Sequence, residues 1–195
     1  MKQKLDNLIN QIRNCRICES KLPYAVNPVF SVSEKSKILI IGQAPGLRVH
    51  KSGVPWHDQS GKELRRWLGV SEEEFYDTDN FGILPMGFCY PGKASKGDLP
   101  PRPECAPQWH TEVLSFLSQI ELTLFIGKYA QAYYLKSAHG KNLTETVRSY
   151  EKFLPKYFPL PHPSPRNFIW KAKNPWFVQE VVPNLQSLVR DILSK

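Results

Sequence analysis

The chain has 195 residues, which favours a single domain, and its 41% hydrophobic and 23% charged residues exclude a disordered chain and a coiled coil. Its 26 lysines and arginines against 18 aspartates and glutamates give a net charge of +8, which suits a polyanionic partner but also occurs in basic proteins that bind none. No run of about 18 apolar residues is present and residues 1–16 lack the apolar stretch of a signal peptide, so we expect a cytoplasmic protein that does not span a membrane.

The first half of the chain alternates helices and strands. Apolar residues at helical spacing indicate the first helix, and an apolar, β-branched run that ends at a glycine is typical of a parallel strand buried on both faces. In chain order we predict a helix over residues 5–12, a strand over 37–42, a helix over 60–68 and a strand over 81–86. The third of these elements is expected to expose Lys62, Arg65 and Arg66 to solvent.

The second half repeats the alternation after a long irregular segment. Residues 90–107 hold five prolines and two glycines, which predicts a functional loop. We then predict helices over residues 112–120, 128–136 and 177–193, and strands over 122–127 and 157–160. The sequence therefore predicts one α/β domain over residues 1–195, a three-layer αβα sandwich with a short, mostly parallel central sheet of about four strands.

Three motifs follow the predicted strands. They are GQAPG at residues 42–46, GVPWHDQSG at residues 53–61 and HPSPRN at residues 162–167. In open parallel sheets, ligands bind beyond the carboxyl ends of the strands, so these segments are expected to meet in one crevice.

In order, spacing and strand context, the motifs resemble the uracil-DNA glycosylase superfamily. Its members carry a motif of the GQDPY or GEAPG kind after the first strand and an HPS motif after the last. The resemblance covers Cys15 to Asn167. It implies a monomeric DNA repair enzyme that hydrolyses the N-glycosidic bond of uracil, or of another deaminated base, in DNA and leaves an abasic site. No lysine lies in a motif suited to Schiff-base chemistry, so we expect a monofunctional glycosylase.

The cysteines Cys15, Cys18, Cys89 and Cys105 indicate thiol or metal chemistry, because cytoplasmic chains rarely contain disulfides. One Cys-x2-Cys pair followed by two isolated cysteines resembles families four and five of the superfamily, which implies a [4Fe-4S] cluster that pins the loop over residues 90–107. Four thiolates also suit a structural zinc ion. Zinc sites of the ribbon kind prefer two Cys-x2-Cys pairs, and zinc stays open as the alternative.

The resemblance assigns the catalytic roles to His162 and Asp58. His162 is similar to the HPS histidine, which donates a hydrogen bond to the uracil O2 as the leaving base becomes negative. Asp58 precedes a Ser-Gly pair, as an aspartate does in family five, and is expected to orient water and stabilise the positively charged sugar. The alternatives are that His162 is a surface turn residue and that Asp58 only caps the following helix.

The base is expected to contact Trp56, Gln43 and Ala44. Trp56 takes the place of the family's stacking aromatic residue unless it belongs to the core, and the backbone amides of Gln43 and Ala44 would hold the base carbonyl. Two positions depart from the family pattern. Ala44 replaces the acid of GQDPY, and Pro85 stands where families one and four carry an asparagine that pairs with the pyrimidine. The accepted base is therefore open, and hypoxanthine and xanthine are further candidates.

DNA contacts are expected from residues 164–168. By resemblance, Ser164 holds a phosphate, while Pro165, Arg166, Asn167 and Phe168 enter the minor groove and replace the extruded nucleotide. A further set of basic residues would hold the DNA backbone or would be ordinary solvated charges: Lys62, Arg65, Arg66, Lys93 and Lys96.

Two other functions remain open at this point. A non-catalytic nucleic-acid-binding relative would keep the fold and the metal site without hydrolysis, which Ala44 and Pro85 favour and which Asp58 and His162 oppose. A small-nucleoside hydrolase would need neither the excess of basic residues nor the loop that enters the groove.

Overall fold

A computed structural model describes residues 2–138 and 140–195 of the chain. These residues form a four-stranded sheet in the spatial order β2-β1-β3-β4, where β1 is Ile38–Ile41, β2 is Phe81–Ile83, β3 is Leu122–Ile126 and β4 is Tyr157–Leu160. All three strand pairings are parallel. The predicted α/β class and the predicted number of strands are confirmed.

Helices connect the strands and continue beyond the last one. They are α1 (Lys2–Arg13), α2 (Leu47–Ser52), α3 (Gln59–Leu68), α4 (Glu72–Tyr76), α5 (Cys105–Phe116), α6 (Lys128–Leu135), α7 (Leu143–Arg148), α8 (Phe168–Lys173) and α9 (Val182–Leu193). A π-helical turn over Phe177–Val181 leads into α9. Among the described helices, none is long and apolar enough to cross a membrane.

The sheet is the middle of three layers, with helices on both of its faces. Successive strand residues point to opposite faces, so each strand contributes side chains to both sides. Ile38 and Ile40 pack into one core cluster with side chains of α3, α4, α7 and α9. Leu39 and Ile41 pack into a second cluster with side chains of α1, α5 and α6. Both faces of β1 are therefore covered, which explains why this strand has no alternation of apolar and polar residues.

The strand order reverses beside β1. The chain passes from β1 to β2 on one side and returns to β3 on the other side. Crossovers that diverge in this way leave a crevice at the carboxyl ends of the two central strands. Gly42 follows β1 and Gly127 follows β3, so the topology places the GQAPG motif at that crevice.

Two predictions about the helices are wrong. The helix predicted over residues 112–120 begins at Cys105 and ends at Phe116, so the irregular loop ends at Glu104. Pro107 lies in the first turn of α5, where backbone N–H groups have no partner within the helix, so the N–H that proline lacks costs no hydrogen bond. Pro107 therefore marks the start of a helix. The second error concerns Arg65, which is only 7% exposed.

Arg65 is buried because α4 packs over this side of α3. Its guanidinium lies 5.5 Å from the ring centre of Phe75 and 5.6 Å from that of Tyr76, and it pairs with Glu72 at 3.3 Å. The flat guanidinium group stacks on aromatic faces while its N–H groups remain paired. Arg65 therefore stabilises the contact between α3 and α4 and is withdrawn from any DNA surface.

Candidate active site

A cavity of about 580 Å³ opens at the carboxyl ends of the strands. The three predicted motifs meet there. Of the predicted site residues, the cavity is lined by Gln43, Ala44, Trp56, Asp58, His162, Ser164, Pro165 and Arg166. Its volume lies within the usual range for small-molecule sites.

The GQAPG motif forms one wall of the cavity directly after β1. Ala44 lines this wall and has no polar side-chain atom. The side-chain amide of Gln43 donates a hydrogen bond of 3.1 Å to the carbonyl of Leu99, and its backbone carbonyl accepts one of 3.0 Å from Gly87. Gln43 therefore connects the motif to the loop that follows β2.

Trp56 is held against this wall in a backbone conformation that few non-glycine residues adopt, with φ at +55°. A Cβ atom on Gly42 would lie 2.9 Å from Cζ2 of the indole, and one on Gly61 would lie 1.7 Å from the Trp56 carbonyl oxygen. Both positions therefore need glycine. Trp56 packs on the core and also lines the cavity, so its place in the core leaves it able to contact a ligand.

Asp58 has two roles in the structure. One carboxylate oxygen, Oδ1, accepts a hydrogen bond of 2.8 Å from the Gly61 amide, which makes Asp58 the N-cap of α3. The residue is half-buried and lines the cavity. The capping alternative and the site alternative are therefore compatible, because the cap engages Oδ1.

His162 lies after β4 and faces Trp56, with 5.7 Å between the ring centres. Burial lowers the pKa of the imidazole below its ordinary value of 6.5, and the nearby Asp58 carboxylate opposes this shift. A ring with a lowered pKa is neutral at pH 7 and keeps one N–H donor.

The segment after His162 is arranged by local hydrogen bonds. The Asn167 side-chain amide donates to the His162 carbonyl at 2.7 Å, and the Ser164 hydroxyl accepts from the Arg166 amide at 3.3 Å. Pro165 and Arg166 are exposed and line the cavity. Phe168 lies outside the cavity lining, and 65% of it is exposed. Asn167 therefore shapes the loop, while Pro165 and Arg166 are free to meet a ligand.

Among the polar residues that line the cavity, sequence reasoning missed Asp98, Lys128 and Tyr129, and it predicted Lys96 only as a contact to the DNA backbone. Asp98 is the most informative of them because it is a second carboxylate in the same cavity as Asp58. Desolvation raises the pKa of the Asp98 carboxyl, while Arg166 and a hydrogen bond from Tyr90 oppose the shift. The only signal in the sequence is the Lys-Gly-Asp turn inside a proline-rich loop.

The four cysteines come together behind this loop, and all four are free thiols. Cys15 follows α1, Cys18 lies in the next turn, Cys89 follows β2 and Cys105 begins α5. Burial, together with a smaller effect of the neighbouring cysteines, raises the pKa of Cys89 to about 11 and that of Cys105 to about 12. The Cys105 thiol also hydrogen-bonds to Cys18.

Four convergent thiols fit the donor set of an iron–sulfur cluster. Burial and mutual repulsion oppose their ionisation, and a bound cationic centre would remove that penalty. Within residues 2–138 and 140–195, no group of three or more His, Cys, Asp and Glu side chains could hold a metal ion as the side chains stand. A cluster of four irons is larger than a single ion, so its thiolates stand farther apart than the ligands of one zinc ion.

The basic residues differ in their availability. Arg66 pairs with Glu63 at 2.8 Å, and Arg65 is buried. Lys62, Lys93 and Lys96 are exposed, and Lys96 lines the cavity.

The model of the family described as the uracil DNA glycosylase superfamily matches residues 30–186, which include all three motifs and all four strands.

Proposed function

The chain belongs to the uracil DNA glycosylase superfamily, and from this premise we propose that it is a monofunctional DNA glycosylase for deaminated bases. It hydrolyses the N-glycosidic bond of uracil, or of a related deaminated base, in DNA and leaves an abasic site. The observation that carries the proposal is the cavity in which Trp56, Asp58 and His162 lie together at the carboxyl ends of the strands.

The leaving base is stabilised from the His162 side of the cavity. As the bond between the sugar C1′ and the base nitrogen breaks, negative charge develops on the base and its carbonyl oxygens. A neutral imidazole N–H donates a hydrogen bond to such an oxygen, and the lowered pKa of His162 supports the neutral form. Trp56 provides the aromatic face on which the extruded base stacks.

The sugar and the attacking water are handled from the Asp58 side. Positive charge develops on the sugar, and the Asp58 carboxylate stabilises it electrostatically. Because the cap on Gly61 engages Oδ1, we assign the orientation of water to Oδ2. The cap also fixes the carboxylate against α3, so that it is oriented before the substrate arrives. Water adds to C1′ and gives one proton to Oδ2 of Asp58, while the base departs as an anion with the bonding electrons and takes up a proton from solvent afterwards.

The substrate is DNA that carries a deaminated base. The cavity of about 580 Å³ is large enough to admit a purine as well as a pyrimidine, and Pro85 at its edge has no side-chain amide that would restrict the site to pyrimidines. Arg166 and Pro165 are exposed where the loop would meet the groove, and Lys96 adds positive charge beside them. The protein acts as a monomer.

We further propose that Cys15, Cys18, Cys89 and Cys105 hold a [4Fe-4S] cluster, with zinc as the alternative. The cluster would supply a structural link between α1, the loop after β2 and α5, and it would take no part in the reaction. Protein purified anaerobically should absorb broadly near roughly 400 nm and contain about four irons per chain. Stoichiometric zinc without visible absorbance would favour the alternative.

The test of the activity uses duplex oligonucleotides that carry uracil, hypoxanthine or xanthine at one position. Abasic sites are cleaved with alkali and the products separated by size, with an unmodified duplex as the control. We expect alkali-dependent cleavage of at least one modified strand. Breakage without alkali would contradict the monofunctional assignment and would direct attention to Lys96 and Lys128, which line the cavity.

A non-catalytic DNA-binding relative is the second candidate. It is favoured by Ala44, which brings no acid into the cavity, and by the use of Asp58 as a helix cap. Such a protein would bind duplexes with a deaminated base more tightly than the unmodified duplex and cleave none of them.

A further inference from the structure

The apolar side of the cavity has no side chain that can recognise the edge of a base. Val29, Ile83 and Pro85 line it, and none carries a polar side-chain atom. The Pro85 carbonyl is itself engaged, because it accepts a hydrogen bond of 3.1 Å from Nε2 of the buried His110. A glycosylase that spares cytosine and adenine needs a polar group elsewhere in the cavity to tell them from their deaminated forms.

Asp98 lies on a hairpin that covers the cavity. Lys93 and Asp98 form an antiparallel bridge, the Ala94 amide donates to the Gly97 carbonyl at 2.9 Å, and the Leu99 amide donates to the Gly92 carbonyl at 2.8 Å. These hydrogen bonds fix the backbone on both sides of Asp98.

The hairpin is also joined to the walls of the cavity. Gln43 donates from its side chain to the Leu99 carbonyl, and the hydroxyl of Tyr90, a residue that is 3% exposed, donates to the Asp98 carboxylate. Oδ2 of Asp98 lies 3.6 Å from the position that a Cβ atom on Gly46 would take. The carboxylate thus occupies the space beside the end of the GQAPG motif.

The chemistry of deamination supplies a donor for such a group. Uracil and hypoxanthine carry a ring N–H where cytosine and adenine, the bases from which they form, carry a ring nitrogen with a lone pair. An ionised carboxylate only accepts hydrogen bonds, so it attracts the first kind of base and repels the second. Of the two carboxylates in the cavity, Asp58 is bound to Gly61 as a helix cap, whereas Asp98 is oriented by Tyr90.

We propose that Asp98 determines base specificity by accepting a hydrogen bond from the ring N–H of the extruded base. This inference rests on the proposed function and names the substrate class of the same site. Asp98, farther along the same loop after β2, supplies the recognition that Pro85 cannot give. Arg166 lies close enough to oppose the rise in the pKa of the Asp98 carboxyl, and this favours the ionised form that accepts.

The experiment measures single-turnover cleavage and binding with Asp98→Asn, Asp98→Ala and, as a control on the same hairpin, Ser95→Ala. Substrates carry deoxyuridine or its N3-methyl derivative, which lacks the ring N–H. Binding is measured by fluorescence anisotropy with non-cleavable 2′-fluoro-deoxyuridine in the same duplex. An amide oxygen also accepts from N–H, so Asp98→Asn should stay within a few-fold of the parent, while Asp98→Ala should lose at least about tenfold in rate and in binding. Ser95→Ala should behave as the parent.

The N-methyl substrate isolates the proposed contact. For each protein, the preference is the cleavage rate on deoxyuridine divided by the rate on the methylated substrate. This preference should be at least about tenfold larger in the parent than in Asp98→Ala, because only the parent loses a hydrogen bond on methylation. Equal losses in Asp98→Asn and Asp98→Ala would show that the negative charge acts in another step and would overturn the proposal. So would an Asp98→Ala variant with unchanged rate, binding and preference. If the parent cleaves nothing, the proposed activity fails, whereas the binding measurement still decides the role of Asp98.

Discussion

The Asp58 carboxylate accepts a hydrogen bond of 2.8 Å from the Gly61 amide while the same residue lines the cavity together with His162. The Asp58 side chain thus caps α3 and is also the group that we propose to act on the substrate. Because α3 begins at the cavity, the cap orients the carboxylate. A substitution that keeps the capping group but removes the charge is therefore needed to separate the two roles.

Asp58→Asn should lower the single-turnover rate on uracil DNA by about 10²-fold or more, because the amide caps α3 as well as the acid does but carries no charge. Its thermal midpoint should match that of the parent. Asp58→Ala should lose the rate and also about 1 kcal/mol of stability. An Asp58→Asn variant that cleaves at the parent rate would show that Asp58 only caps the helix.

His162→Ala should slow the chemical step by roughly 10²–10³-fold, since it removes a donor directed at developing negative charge. The affinity for DNA with a non-cleavable uracil analogue should change much less, because the hydrogen bond strengthens only as the base leaves. The measurement pairs single-turnover kinetics with equilibrium binding. A large loss of affinity with an unchanged rate would place His162 in ground-state binding instead.

The packing of Trp56 on Gly42 makes a prediction about stability. A Cβ on Gly42 would lie 2.9 Å from Cζ2 of the indole, so Gly42→Ala should displace Trp56 and cost about 1–3 kcal/mol in the free energy of unfolding. Phenylalanine lacks the outer ring of tryptophan. The double variant Gly42→Ala, Trp56→Phe should therefore be more stable than Gly42→Ala alone, as measured by urea unfolding. Equal stabilities would mean that the backbone near Gly42, and not the indole, resists the methyl group.

Arg166 and Arg65 should respond in opposite ways to truncation. Arg166 is exposed at the cavity, so Arg166→Ala should weaken DNA binding and lower the slope of log affinity against log salt by about 1. Arg65 is buried on Phe75 and Tyr76, so Arg65→Ala should leave that slope unchanged and lower the free energy of unfolding by about 1–3 kcal/mol. A changed salt slope in Arg65→Ala would contradict its assignment as a structural residue.

These residues also show what could be predicted from the sequence. The sequence predicts β1 and β3 because apolar runs followed by glycine are local patterns, and it predicts that the motifs meet because parallel strands bring their carboxyl ends together whatever the details of packing. The exposure predicted for Arg65 is wrong because helical spacing alone puts this residue on the solvent side, whereas α4 covers it. Asp98 could not be found, since a proline-rich loop has no periodicity and its position depends on Tyr90, Gln43 and the hairpin.

The half-buried carboxylate of Glu63 gives a prediction about pH. It accepts from Lys171 Nζ at 2.7 Å, from Arg66 Nη2 at 2.8 Å and from Trp67 Nε1 at 2.9 Å, and so it ties α8, which follows the predicted DNA loop, to α3. Burial by itself would raise the pKa of this carboxyl, but the hydrogen bonds from Arg66 and Lys171 outweigh it and lower the pKa to about 2.

A carboxyl whose pKa is lowered in the folded state stabilises that state above the unfolded pKa and loses its contribution as the pH falls through the folded value. The pKa shift from about 4.5 to about 2 corresponds to at most roughly 3 kcal/mol. Glu63→Gln should therefore be less stable than the parent at pH 7, and the difference should shrink between about pH 4.5 and pH 2 as urea unfolding is repeated at each pH. Glu73→Gln, at an exposed position of α4, is the matched control and should track the parent throughout. If the gap between Glu63→Gln and the parent stays constant down to pH 2, the contribution of Glu63 to stability does not depend on its charge, and the prediction is wrong.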